Sequence, residues 1–280
     1  ITHYVQREVS RVLGIPQSRL RVIQPVLGGA FGGKSDPFSL EFVVSKLALI
    51  TGRPVKMLWT REEVFYAHRG RHPMNLRYKT GVTKDGQITG VDAKILIDGG
   101  SYSSFGLVTT YYSGQLLTGP YDFPSYRFNS TRVFTNKPPC GPKRGHGSVQ
   151  PRFAFEIQLD ELAEAIDMDP IELRRKNDIG ESTKTVNGQR VTSNGFGRCL
   201  DEVERASEWK SRRGKLPMGA GLGVAGSMYI SGTNYPIYPN EMPQAGIQLK
   251  VDRSGLVTVF SGANDIGQGS SSVVRYIVAE

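Results

Sequence analysis

A chain of 280 residues with 38% apolar and 22% charged residues can bury one large core or two ordinary ones, which excludes an intrinsically disordered polypeptide. No uninterrupted apolar run approaches the ~20 residues of a bilayer span, so no membrane partner is expected. The net charge of +9 comes from basic residues spread from Arg7 to Arg275 and interleaved with acids, a pattern that argues against nucleic acid as a partner.

Val5, Val9 and Val12 recur at i, i+4 and i+7, which predicts an amphipathic helix over 4–13, stopped by Gly14-Ile15-Pro16. Residues 20–26 read as a short apolar strand running into the segment Gly28-Gly29-Ala30-Phe31-Gly32-Gly33-Lys34-Ser35. A helix over 38–50 closed by Gly52 and a strand over 54–60 follow. Between Met74 and Asp98 two alternating runs flank Lys84-Asp85-Gly86, the signature of a hairpin. Residues 99–120, rich in Gly, Ser, Thr and Tyr and without a period, are expected to form a loop lining a site, and 126–136 a strand pair. Helical periodicity returns over 153–166, and Asp169-Pro170 restarts a helix as an N-cap followed by proline at the first helical position. Residues 183–197 read as a polar loop, 200–209 as a short helix, and 216–280 as glycine-punctuated strand with a hairpin turn at Asp252-Arg253-Ser254-Gly255. The fold class expected is α+β, mixed sheets with packed helices and no β-α-β series. A soft boundary lies between Asn177 and Gly197, dividing 1–197 from 198–280.

Two motifs match nucleotide sites but lack the required context. Gly28 to Ser35 satisfies G-x-x-x-x-G-K-[ST]. A phosphate loop, however, needs Lys and Ser in the first turn of a helix, whereas Asp36-Pro37 reads as the cap that starts the helix after Ser35. Gly221-Leu222-Gly223-Val224-Ala225-Gly226 fits the dinucleotide fingerprint, but the β-like residues after it suggest a strand passing close to another backbone. Cys140 and Cys199 are too few for a disulfide framework or an iron–sulfur cluster. No C-x-x-C or H-E-x-x-H spacing offers a zinc site.

Four segments together resemble the molybdenum hydroxylase family, which includes xanthine dehydrogenase and aldehyde oxidase. They are Gly29-Ala30-Phe31-Gly32-Gly33-Lys34, Lys143-Arg144-Gly145-His146-Gly147, the helix pair over 156–177 with Asp169-Pro170-Ile171-Glu172-Leu173-Arg174, and Gly267-Gln268-Gly269. Within the family the chain is most similar to the large subunits of 4-hydroxybenzoyl-CoA reductase. That likeness rests on Arg61-Glu62-Glu63-Val64-Phe65-Tyr66, Arg69-Gly70-Arg71-His72-Pro73, Asp98-Gly99-Gly100-Ser101-Tyr102 and the run from Asn136 to Gly147. Ser35 and His146 depart from the purine-oxidising branch, which carries Glu and Phe there.

The resemblance implies a molybdopterin-binding fold, with 1–197 a first cofactor-binding subdomain and 198–280 the start of a second. It implies a metal held by the pterin dithiolene, with no protein side chain as metal ligand. Gln268 would donate its amide near the oxo ligand, Phe31 and Gly32 would approach through backbone, and Arg144 would add charge. Gly267 and Gly269 would leave room, and a helix over 270–278 would turn its N-terminal N–H groups toward anionic oxygens. Ser35, His146, Tyr111 and Tyr112 are expected on the substrate side, while His68 and His72 read as satisfied or surface histidines. The general-base glutamate is expected beyond residue 280, so no catalytic residue is assigned here and the 280 residues alone are expected to be inactive. The start Ile1-Thr2-His3-Tyr4, which is no signal peptide, suggests a piece of a longer cytoplasmic protein. The implied reaction is reductive removal of the phenolic hydroxyl of 4-hydroxybenzoyl-CoA in anaerobic aromatic degradation. An aromatic acyl-CoA would be the substrate, and iron–sulfur and FAD subunits of a heterohexamer would supply electrons. The alternatives are an oxidative hydroxylase of xanthine or aldehyde type and, from another class, a P-loop nucleotide-binding protein.

Overall fold

The computed structural model describes residues 2–104, 106–229 and 246–280. Contacts divide the chain into two units that interleave in sequence. The first comprises Ile1–Arg71, Gly141–Arg144 and Asn240–Glu280, the second His72–Cys140 and Gly145–Pro239.

In the first unit the valine repeat forms helix α1 (Thr2–Leu13), with Val9 buried. Gln6 Nε2 then pins the departing chain by donating to the carbonyls of Gln17 (3.0 Å) and Leu20 (2.7 Å). The strands expected over 20–26 and 54–60 do not form: both stretches lie outside every ladder among the described residues. Apolar runs favour an extended chain, but a strand also needs a partner for its N–H and C=O groups. Helix α2 (Ser39–Thr51) starts later than Asp36-Pro37 predicts, with Phe38 as N-cap. The Glu41 carboxylate accepts the Phe38 N–H at 2.7 Å, while Asp36 is buried and pairs with Arg69 at 3.5 Å. Gly52 closes α2 at φ 63°. Helix α3 (Arg61–Ala67) opens on a capping box, Thr60 N donating to Glu63 at 2.7 Å and Glu63 N to the Thr60 hydroxyl at 3.2 Å.

The second unit is built on a three-stranded sheet. Strands β1 (Met74–Val82) and β2 (Ile88–Asp98) form the antiparallel hairpin predicted around Lys84-Asp85-Gly86. Helix α4 (Gly106–Gln115) then carries the chain over to β3 (Tyr126–Val133), which pairs with β2 in parallel. Two expectations are corrected here. The loop over 99–120 contains a helix, and 126–136 holds one strand, not a pair. The helix escaped detection because its buried residues are Gly106, Thr109, Tyr112, Ser113 and Gly114, so no apolar stripe marks its inner face. Helix α5 (Val149–Ala165) brings Phe155, Leu159 and Ala163 onto Ile88, Val91 and Ala93 of the sheet to make the main core.

Helix α6 (Pro170–Lys176) is capped as predicted by Asp169, whose Oδ1 accepts from Ile171 N (2.8 Å) and Glu172 N (3.4 Å). Its Oδ2 accepts Trp209 Nε1 at 2.8 Å, joining the cap to a second apolar cluster of Ile171, Leu200 and Trp209. Asp169→Ala is expected to cost about 2 kcal/mol in urea unfolding, because it removes a cap and orphans a buried indole N–H. Asp169→Asn, which keeps an acceptor for the cap, is expected to lose about half of that. Asn177 closes the region: its side chain donates to Gly86 O and Leu173 O and accepts from Ile88 N, which fixes the β1–β2 turn.

Two-residue strands β4 (Thr183–Lys184) and β5 (Arg190–Val191) pair within the stretch read as loop. Helices α7 (Phe196–Ala206) and α8 (Trp209–Arg212) follow. The Gly221–Gly226 run is neither strand nor the start of a helix among the described residues. Gly226 lies where a Cβ would come within 2.6 Å of the Tyr121 hydroxyl, so it is packed against side chains. Back in the first unit, β6 (Ile247–Val251) and β7 (Val257–Ser261) flank the predicted turn at Asp252–Gly255. Helix α9 (Ser270–Ala279) lies over residues expected to be helical. Of the strand expected over 216–280, residues 216–229 form none, and residues 230–245 lie outside the described residues.

Candidate functional site

Three segments far apart in sequence meet inside the first unit: the glycine loop, residues 141–144, and the loop before α9. Phe31 adopts a left-handed φ of 51° and is 62% exposed, and its ring lies against Gly29. Its carbonyl accepts the Arg144 N–H at 3.0 Å. Arg71 Nη2 donates to the Arg144 carbonyl at 2.9 Å, so Arg71, Arg144 and Phe31 are strung on backbone bonds. Gly32 makes this approach possible: at φ 88°, a Cβ there would lie 2.7 Å from the Pro142 carbonyl carbon. Among the described residues nothing accepts from the N–H groups of Phe31 or Gly32, and Arg71 Nη1 is buried without a partner. Arg144 is exposed. Two open backbone donors beside a guanidinium suit oxo or carboxylate oxygens, since such donors require an acceptor.

The third segment touches the first through glycine as well. Gly267 has φ 102°, and a Cβ there would stand 2.5 Å from Gly29 N. Asp265 shapes this loop: its Oδ1 accepts from Gly267 N (2.9 Å) and Gly269 N (3.3 Å), and its Oδ2 from Ser271 N (3.2 Å). The backbone bond to Gly267, then that to Ser271, hold its carboxyl below the usual range. Of the N–H groups that the α9 N-terminus was expected to offer a ligand, that of Ser271 is met by this carboxylate of the chain itself. Gln268 is exposed, and its amide folds onto its own loop. Its Oε1 accepts from Ile266 N (2.7 Å), and its Nε2 donates to Asn264 O (2.9 Å) and the Ser270 hydroxyl (3.3 Å). A ligand that takes the amide proton must displace one of these weak local partners.

Among the described residues of this unit, the glycine loop does not have the form of a nucleotide phosphate site. Lys34 Nζ donates to Gly29 O at 3.2 Å and the Ser35 hydroxyl to Gly32 O at 2.9 Å, both inside the loop and ahead of α2. The loop also borders a cavity of about 510 Å³ lined by Leu27, Phe38, Trp59, Val64 and Ile266, with the charges of Asp36, Glu41, Lys34 and Arg61 mixed on its wall. His68 is satisfied, its ring nitrogens meeting Arg69 O (2.9 Å) and Gly33 O (3.2 Å).

Of the residues expected on the substrate side, Ser35 belongs to the first unit, and His146, Tyr111 and Tyr112 belong to the second. Tyr112 is buried and meets His146 edge-on at 5.9 Å, whereas Tyr111, the next position on α4, is 55% exposed. His146 Nε2 is hydrogen-bonded to the buried Thr109 hydroxyl. Arg71, Asp265, Thr109 and His72 were not singled out as site residues from sequence. The signal for Asp265 was there to read, since an Asp two residues before Gly commonly accepts the backbone N–H of the turn it opens.

Residues 1–178 match a molybdopterin cofactor-binding domain family, and residues 199–280 match a second family of the same description. Over its full length the chain is 36% identical to the xanthine dehydrogenase molybdenum-binding subunit of Escherichia coli O157:H7, of which it covers 38%. Over 74% of its length it is 38% identical to the nicotinate dehydrogenase large molybdopterin subunit of Eubacterium barkeri, covering 48% of that protein. Quinoline 2-oxidoreductase from Pseudomonas putida 86 shares the fold over 100% of the chain, with a TM-score of 0.88 at 24% identity, and the chain covers 38% of it. Aldehyde oxidoreductase from Desulfovibrio gigas matches 96% of the chain with a TM-score of 0.78 at 25% identity, and the chain covers 29% of it. The chain thus spans less than half the length of these relatives.

Proposed function

The chain belongs to the molybdopterin cofactor-binding domain family found in large subunits of the xanthine oxidase family, and we propose that it contributes cofactor-binding surface to an oxidative molybdenum hydroxylase. The observation that carries this reading is the convergence of Phe31-Gly32, Arg144 and Gly267-Gln268-Gly269 through backbone contacts that glycine alone permits. When bound, molybdopterin supplies the two-electron redox centre. The chain supplies the Phe31 and Gly32 N–H donors, the Arg144 charge and the Gln268 amide, on loops that Gly267 lets approach and Gly269 turns at φ 81°. Substrate roles are proposed residue by residue, for Ser35 in the first unit and for His146, Tyr112 and Tyr111 in the second. Asp36 and Asp265 are not proposed as bases, since Arg69 and the Gly267–Ser271 backbone hold them.

The reaction proposed inserts a water-derived oxygen at a carbon next to nitrogen or at an aldehyde carbon, releasing two electrons and two protons. Iron–sulfur and FAD subunits are the proposed electron acceptors, and the cytoplasm the proposed location. No helix among the described residues is long and apolar enough to cross a membrane. We further propose that 1–197 and 198–280 belong to successive cofactor-binding subdomains. The narrower expectation of 4-hydroxybenzoyl-CoA reduction is set aside, because the relatives named above are xanthine and nicotinate dehydrogenases and quinoline and aldehyde oxidoreductases. The test uses the complete enzyme that contains this chain. It is expected to purify with molybdenum and to oxidise an N-heteroaromatic or an aldehyde with a dye as acceptor. Loss of hydroxyl from 4-hydroxybenzoyl-CoA with a reduced carrier would restore the reductase reading, and stabilisation by Mg²⁺-ATP that Lys34→Ala abolishes would restore the nucleotide loop.

A further inference from the structure

The second unit holds buried polar atoms that this reading leaves without a role. His72 is 2% exposed, and its Nε2 has no hydrogen-bond partner. Its ring lies nearly parallel to that of His146, 15° apart with centroids 6.0 Å apart. His146 in turn is bonded through Nε2 to Thr109 of α4, and Tyr112 of the same helix closes on its edge. Gly147, at φ 79°, lets this turn lie on α4, because a Cβ there would meet Tyr112 Cβ at 2.6 Å. Gln150, in the first turn of α5, donates to the His72 carbonyl at 2.6 Å, which anchors the His72 backbone to the helix that follows His146.

The charged neighbours of His72 pull in both directions, and the positive ones prevail. Asp98, at the end of β2, is committed to Thr135 (2.6 Å), Lys137 (2.6 Å) and Gly100 N (3.0 Å). Arg132 of β3 donates to the carbonyls of Gly99, Tyr102 and Ser103 and adds positive charge. Burial first, and then the charges of His146 and Arg132 against a weaker opposing pull from Asp98, push His72 down to about 4. Its ring is therefore uncharged through the neutral range.

We propose that His72 is a positioning residue, an uncharged ring packed behind His146 that fixes the His146 imidazole on the Thr109 hydroxyl. This rests on the proposed substrate role of His146, and it would set which edge of that imidazole meets a planar substrate. A buried ring nitrogen without a partner costs stability, and histidine at this place is intelligible if its size and parallel stacking are what hold His146.

In the complete enzyme, ¹⁵N-histidine labelling reads the two rings, with the His72 and His146 signals assigned by substitution. His72→Phe, Thr109→Val and the double variant form a cycle read on the His146 ring nitrogens. Each single change is expected to move the His146 ring-nitrogen resonances, and the double variant is expected to move them no further than either single one. Additive shifts would overturn the proposal, and so would His72 titrating near its ordinary value in the wild type. If His72→Phe does not fold, His72→Leu serves in its place. In the assembled enzyme, His72→Phe is expected to raise KM severalfold with little change in kcat. Non-additive shifts with unchanged KM would uphold the positioning role and remove His146 from the substrate side, so the two readings fail separately.

Discussion

Glu156→Gln is expected to lower the stability of the second unit by about 3–5 kcal/mol, a large share of the roughly 5–15 kcal/mol that holds a domain folded. Glu156 is 4% exposed on α5. Its Oε1 accepts the Tyr121 hydroxyl at 2.8 Å, and its Oε2 accepts Arg174 Nε and Gly226 N, both at 2.8 Å. Arg152, 6% exposed, stands 3.6 Å from the same carboxylate and donates to the carbonyls of Leu116, Leu117 and Gly119 just beyond α4. Arg174 is fully buried and reaches Asp160 at 2.7 Å, but the Asp160 side chain is 45% exposed. The buried part of the cluster thus holds two guanidinium groups against one carboxylate. An amide at 156 removes the single buried counter-charge and turns an N–H toward groups that are themselves donors. Urea unfolding measures the loss. The double variant Glu156→Gln, Arg174→Met should be less destabilised than the sum of its parts by about 1–3 kcal/mol, because it no longer strands one of the cations. Strict additivity would mean that packing, not charge, carries the cost.

That cluster marks where the sequence was legible and where it was not. The helix holding Leu159 could be read from its apolar spacing, although Phe153 and Ile157 of that spacing are exposed and Phe155 takes the core, and Asp169-Pro170 announced the start of α6 with a cap the structure retains. The β1–β2 hairpin was equally plain, since alternation and a Lys-Asp-Gly turn are local signals. Three features had no local signal. Helix α4 buries threonine, serine and glycine, so its inner face looked like loop. Strand β3 pairs in parallel across that helix, which alternation cannot foretell. Residues 141–144 belong to the first unit although the chain on both sides belongs to the second. They are held there by Gly141 N on Gly70 O at 3.0 Å and Arg144 N on Phe31 O at 3.0 Å. Bonds between backbone groups leave no mark on side-chain type, apart from the glycines that admit them. The glycine motifs accordingly pointed to loops that the structure brings together, while Arg71 and Asp265, which hold those loops in place, stayed unread.

Gly267→Ala is expected to reduce the molybdenum content of the assembled enzyme by roughly thirtyfold, the equivalent of about 2 kcal/mol of strain placed on the loop contact. Two costs coincide at this position. The residue has φ 102°, which an L side chain resists, and the added Cβ would come within 2.5 Å of Gly29 N and 2.6 Å of Gly29 Cα, neither of which can turn aside. The loop carrying Gln268 must then withdraw from the glycine loop, and the donors of the two no longer share one place. Neighbouring glycines separate this explanation from direct contact with a ligand. Gly269 has φ 81° but nothing within 4 Å of its Cβ position, so alanine there should cost about 1 kcal/mol, the left-handed penalty alone. Gly28 has neither a left-handed φ nor a neighbour within 4 Å, and Gly28→Ala should change metal content little. The order Gly267, Gly269, Gly28 is what loop-to-loop approach demands. A Gly28→Ala enzyme as depleted in molybdenum as the Gly267→Ala one would mean that the open space beside Gly28 is filled by the cofactor itself.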